Sequence, residues 1–224
     1  MSARKRRPDA AETGLSTQRV VAEAIRLADR DGVVGLSMRR LAESLGAGAM
    51  SLYHYVANKD ELLDAITDAV FAEIDFPSDD TDWRSALRQR AVSVRQVLAA
   101  HPWAIGLLES RTSPGPAQLG HLEAVTACLR RAGFSALMTT HASWVLDSYV
   151  YGFALQESTV PFDTADELTD IAEEVYIPQL PVEEYPYLNE VATELAASGY
   201  VPAEEFTFGL DLVLAALDTL RSAE

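Results

Sequence analysis

Residues 37–59 read SMRRLAESLGAGAMSLYHYVANK, and the fold of the whole chain turns on how this stretch is read. Ser37 suits a helix N-cap, because its hydroxyl can accept an otherwise orphaned backbone N–H. Met38, Leu41, Ala42 and Leu45 then recur at helical spacing and make one apolar face. Gly46 follows, where the end of a helix favours a left-handed residue. Beyond Ala47-Gly48 a second helix is predicted from about Ala49 to Tyr55, with Leu52 and Val56 turned inward. Helix, tight turn, helix is the helix-turn-helix arrangement, whose second helix can lie in the major groove of DNA.

Leu45-Gly46, Ser51-Leu52-Tyr53, Tyr55-Val56 and the run Asn58-Lys59-Asp60-Glu61-Leu62-Leu63 resemble the DNA-binding domain of the tetracycline-repressor (TetR) family. The resemblance covers roughly residues 17–69 and rests on a turn, an aromatic pair and an NK-x-x-LL follow-on at fixed offsets. It implies an all-α fold: a three-helix N-terminal helix-turn-helix domain joined to a larger helical domain for ligand binding and dimerisation. It also implies a repressor that leaves a palindromic operator when an unidentified small-molecule effector binds.

Composition agrees with a two-part chain. The 224 residues carry a net charge of −16, but residues 1–59 hold 10 Lys+Arg against 6 Asp+Glu, and residues 60–224 hold 8 against 28. A basic quarter on an acidic body suits a DNA reader with a separate sensing part. No run approaches 18 apolar residues and no signal core follows the basic start, so neither a membrane partner nor export is expected. With one cysteine, Cys128, no intrachain disulfide can form, and a cytoplasmic location is expected. Cys128 reads as a small core residue.

Three parts are expected. Residues 1–15, with Arg4-Lys5-Arg6-Arg7, form a flexible basic arm that can reach phosphates or a minor groove. Residues 16–76 hold the DNA-binding domain and a linking helix. Residues 82–224 form the helical body. The first helix runs from Ser16 or Thr17 to about Asp31, and the linking helix from Lys59 to about Ile74. In the body, helices are predicted at about 83–100, 103–109, 116–132, 135–158, 165–176, 184–197 and 203–221, with Asp82, Ser135 and Thr164 as caps.

The candidate DNA contacts are Arg39, Gly48, Ala49, Met50, Ser51, Tyr53, His54, Tyr55 and Lys59. By the resemblance, Arg39 reaches a base edge, where arginine reads guanine well, and Ser51 and Tyr53 touch phosphate. Gly48 and Ala49 permit close approach but offer no side-chain hydrogen bond, so base reading rests on apolar contacts. Arg40 reads as a solvated charge. Lys59 lies in a first helical turn, where the dipole disfavours a cation. A phosphate held jointly by its ammonium and the helix N-terminus explains it.

Two body helices carry wide apolar faces: Met138, Ala142, Val145, Tyr149 and Phe153 on one, and Phe206, Leu210, Val213, Leu217 and Leu220 on the other. The resemblance implies that these late helices pair with those of a second subunit. Val145, Tyr149, Phe153, Leu210, Val213 and Leu217 are therefore the candidate homodimer interface. Trp103, His121, Met138, His141, Trp144 and Tyr151 are the candidate lining of a ligand pocket. The segment Gly120–Ser135 resembles the regulatory domain of the tetracycline repressors themselves, yet the drug- and metal-contacting positions align with Asp75, Arg90, Val94 and Leu108. Leucine cannot ligate magnesium, so a tetracycline–magnesium effector is not expected. No catalytic or metal-binding pattern is found, and neither an enzyme nor a cofactor is expected. Two other readings stay open: a DNA-binding protein without an effector, and a small-molecule binder that no longer reads DNA.

Overall fold

A computed structural model describes residues 14–110, 113–160, 164–198 and 201–221. The Arg4–Arg7 cluster of the basic arm lies outside the described residues. Every regular element among the described residues is helical. The α-helices in order are α1 (Thr17–Asp31), α2 (Met38–Ser44), α3 (Ala49–Leu52), α4 (Lys59–Phe71), α5 (Trp83–Ala100), α6 (Trp103–Ser110), α7 (Pro116–Arg131), α8 (Ala136–Glu157), α9 (Ala165–Ile171), α10 (Pro186–Ser198) and α11 (Pro202–Arg221). Contacts group them into two compact units, Met1–Ala132 and Gly133–Glu224.

Local chemistry sets most helix limits. Ser16 accepts from the Arg19 N–H, Ser37 from Arg40, Asn58 from Glu61, Ser135 from Met138, and Asp82 from both Arg84 and Ser85. Thr164 closes a full capping box with Glu167. Gly32 and Gly46 carry positive φ, 72° and 64°, where the chain leaves α1 and α2.

Three elements differ from expectation. The second helix of the hairpin ends at Leu52, not Tyr55, because the N–H groups of Tyr55 and Val56 both return to the Leu52 carbonyl and wind Tyr53–Tyr55 into a turn. The linking helix stops at Phe71. The stretch expected as one helix over 165–176 is α-helical only to Ile171; residues 172–176 widen into a π-turn and 177–179 tighten into a 3₁₀ turn. Pro178 sits in that last turn and has no N–H for an α-helical bond.

In the first unit the core of the DNA-binding part is built from Val20, Ala24 and Leu27 of α1, Leu41 and Ala42 of α2, Leu52 of α3, and Leu62 and Ile66 of α4. Trp103 and Leu107 of α6 pack against this same cluster. In the second unit α8 and α11 pair closely. The Tyr149 hydroxyl donates to the Phe206 carbonyl at 2.8 Å, and the Phe153 ring meets Phe206 edge-on at 5.1 Å. Gly209 makes this approach possible, since a Cβ there would overlap the Tyr149 ring.

Candidate nucleic-acid interface and effector site

The short helix α3 is held from below and open above. Leu52 is fully buried and anchors it, while Gly48, Ala49, Met50, Tyr53 and His54 are exposed. Met50, 75% exposed, is the most prominent apolar side chain on this face. Ser51 is half-buried beside it, and Tyr55 packs partly against the domain core. Arg39 projects from α2 and, among the described residues, is tied to its neighbour one turn on, Nε to Glu43 Oε1 at 3.0 Å. A surface pair of that kind is weak and easily exchanged for a DNA partner.

Arg40 is exposed, as a solvated charge should be, yet it is also tied to α1. Its guanidinium donates to the Gly35 carbonyl at 2.8 Å and to Asp31 Oδ2 at 2.6 Å, bracing α2 against the end of α1. A second brace joins the same helices: Arg26 forks across Glu23 at 2.9 and 2.5 Å, and Ser44 of α2 donates to that carboxylate. The Arg26 guanidinium is the main reason the Glu23 pKa falls to about 2, against the opposing pull of burial. These pairs fix the angle at which α2 presents α3.

Lys59 opens α4 and is exposed, next to a capped N-terminus. Asn58 Oδ1 accepts from the Glu61 N–H at 2.8 Å, and the Glu61 carboxylate turns back to the Ala57 N–H at 2.6 Å. The ammonium therefore stands at the positive end of a helix whose acidic first turn, Asp60 and Glu61, partly offsets it.

The pocket candidates separate. His121 on α7 is 1% exposed, and neither ring nitrogen makes a hydrogen bond of normal geometry. Phe76 stacks on it with ring centres 4.1 Å apart. Burial lowers its pKa, the Arg90 charge adds to this, and a backbone interaction with Phe71, short of hydrogen-bond geometry, works the other way. A neutral buried imidazole without a well-formed hydrogen bond is suited to a ligand's polar group. Trp103 does not fit the pocket assignment: its indole N–H is committed to Asp29 at 2.6 Å and its ring packs on the DNA-domain core. His141 and Trp144 stand exposed on α8, the latter 73%, which removes them from any enclosed cavity of their unit. Met138 and Tyr151 are half-buried.

The interface candidates separate too. Tyr149 and Phe153 meet Phe206, and Leu210 and Leu217 are buried, so these residues line the seam between α8 and α11 within one chain. Val213 is half-buried, and Val145 alone of the six is exposed. The unpartnered apolar side chains of these helices are Leu137, Trp144, Val145 and Leu155 on α8, and Phe208, Leu212 and Leu220 on α11. Cys128 is buried as expected, and desolvation pushes its thiol pKa up, keeping it protonated.

The sequence reading assigned no role to Asp29 or Asp68, although both make bonds across elements. The one available signal was Gly115-Pro116, a helix start with no capping side chain of its own.

Residues 20–66 match the family model described as bacterial regulatory proteins, tetR family, and residues 76–221 match that of the tetracyclin repressor-like C-terminal domain. The chain is similar to an HTH-type transcriptional repressor, DrrR1, of Streptomyces coeruleorubidus, 33% identical over 216 residues that cover 92% of this chain and 78% of the relative. It is similar to the class C tetracycline repressor protein of Escherichia coli, 30% identical with 92% of each chain covered. Among solved structures it resembles the Streptomyces coelicolor TetR family protein ActR in complex with (S)-DNPA, with a TM-score of 0.74 and 30% identity over 92% of this chain and 98% of that one.

Proposed function

The chain belongs to the tetracycline-repressor family of helix-turn-helix transcriptional regulators, and on that premise we propose a homodimeric, cytoplasmic repressor that reads a palindromic operator through α3 and is released by a small organic effector. The observation that carries the reading is the form of α3, anchored through buried Leu52 with Met50 and Tyr53 left open beside Lys59 at the start of α4. Met50 meets base edges, Ser51, Tyr53 and Lys59 meet phosphates, and Arg39 reads a base next to them. The effector bonds His121, whose nitrogens make no hydrogen bond of normal geometry among the described residues. By the resemblance Leu108 falls at a metal-contacting position, and leucine cannot ligate magnesium, so the effector is proposed to bind without it. Dimerisation uses the open faces of α8 and α11, not their shared seam. Effector binding favours a conformation with wrongly spaced recognition helices and so lowers operator affinity.

Selection from randomised duplexes across a salt series tests this. A palindrome is expected to emerge, with log affinity falling linearly against log salt. Lys59→Ala should weaken binding to all sequences alike and reduce the salt slope by about one. Unselective binding in the unaltered chain would overturn the reading. A change confined to sequence preference in the variant would overturn the phosphate assignment alone.

A further inference from the structure

Residues 37–59, which span α2, the turn and α3, contain a single acidic residue, Glu43. The bases around it are Arg39, Arg40 and Lys59. An exposed carboxylate on a surface that meets phosphates opposes binding by plain repulsion. Glu43 lies in the last turn of α2, at the edge of the turn leading to α3, and its carbonyl accepts from the Gly46 N–H at 3.1 Å. Its carboxylate reaches back one helical turn, where Oε1 accepts from Arg39 Nε at 3.0 Å. The two side chains are 84% and 61% exposed, Arg39 the more so.

Helix stability does not account for this pair. Arg39 is in the first turn of α2 and Glu43 in the last, so each charge stands at the end whose dipole disfavours it. The order is also the weaker one, since an acid four residues before a base supports a helix better than the reverse. What the pair supplies is aim. The bond occupies Nε, on one flank of the guanidinium plane, and turns the Nη1–Nη2 end away from the carboxylate. That end is a two-pronged donor of the kind that fits O6 and N7 of guanine.

We infer that Glu43 is a positioning and specificity-determining residue: it holds Arg39 in the pose that reads guanine and keeps it from the phosphates. An arginine beside DNA has both kinds of acceptor within reach, and phosphate carries no sequence information. Paired, the charges of Arg39 and Glu43 cancel, so the sequence-blind attraction falls. The bonds to guanine remain, because they depend on aim at short range. The pair is weak in water but strengthens where DNA excludes water from it. Glu43 lowers total affinity and raises the ratio between right and wrong sites. The inference rests on the DNA-reading assignment above, with Arg39 as a base reader.

The test measures binding of the full-length chain to the operator recovered by selection, and to duplexes with each base pair replaced in turn, across a salt series. Arg39→Ala should lose about tenfold of the discrimination at one G·C pair of each half-site. Glu43→Ala should lose roughly threefold at the same pair. It should also bind unrelated duplex more tightly, with a salt slope steeper by up to about one. Glu43→Gln keeps an acceptor for Nε without the charge, and should recover part of the discrimination while keeping the raised affinity. In the Arg39→Ala background, Glu43→Ala should change discrimination at that pair no further, since it acts through Arg39. Undiminished discrimination in Glu43→Ala would make Glu43 a repelling charge and nothing more, and would overturn the inference. An effect at another base pair, or one that persists in the Arg39→Ala background, would overturn it too, because the carboxylate would then read a base itself. No recovery in Glu43→Gln would assign the effect to charge and remove the positioning role. A wild type that selects no operator, or an Arg39→Ala variant with full discrimination, would overturn the DNA-reading assignment or the role of Arg39, and the inference with it. Both results are distinct from a failure confined to the Glu43 variants.

Discussion

His121 shows how one residue can oppose stability and serve function at once. An imidazole at 1% exposure without well-formed hydrogen bonds is held at a desolvation cost. Replacing it by an apolar group removes that cost, so His121→Leu should raise stability by about 1 kcal/mol, or about 2–4 °C in melting temperature for a chain of this size. Thermal denaturation checks this, and a lower melting temperature would mean that the ring is satisfied after all. Glu23 works in the opposite direction. Its pKa in the fold, about 2, lies below the ordinary 4.5, so its contribution is fully present above about pH 4.5 and is lost as pH falls toward 2. Glu23 keeps some contact with water, so the amount at stake is on the order of 1 kcal/mol. Denaturant titrations at pH 5 and pH 2.5 should show Glu23→Gln with a flatter acid limb than the wild type. The reading of Arg40 as a solvated charge missed its partners, Gly35 and Asp31, because they lie before it in the chain and are brought beside it only by the angle between α1 and α2.

At the scale of elements, what the sequence reveals follows from how local the cause is. Ser16, Ser37, Asn58, Asp82, Ser135 and Thr164 cap helices through bonds to residues two or three positions ahead, so the starts of those helices could be read directly. The end of α3 could not, because Tyr55 and Val56 leave the helix to place Val56 in the domain core. The start of α7 is capped from α4, a partner no local pattern contains. The apolar stripes of α8 and α11 were visible, but each helix carries apolar residues on more than one side. Periodicity alone does not say which side its own chain covers. Gly209 marks the covered side. Gly209→Ala should force Tyr149 off the seam and cost about 1–3 kcal/mol as overpacking. Equilibrium unfolding measures it, and a change within error would mean that α11 can shift to make room.

At the scale of the molecule, the seam and the open faces predict opposite behaviour for two leucines five residues apart. Leu217 is 3% exposed and Leu212 is 59% exposed. Leu217→Arg should unfold the α8–α11 pair and yield aggregated or poorly expressed protein. Leu212→Arg should fold normally and sediment as a monomer with sharply reduced operator affinity. A dimeric Leu212→Arg would exclude the open face as the dimer contact. Why a second subunit should matter so much follows from the size of α3. Four residues of helix span about 6 Å, and base pairs stack every 3.4 Å, so α3 lies along only about two of them. A two-base-pair word recurs by chance about every 16 positions, and two such words at a fixed separation about every 256. A second subunit would thus make chance matches about sixteenfold rarer, but only for words set at one interval, and that interval is the quantity a sensing body is able to change.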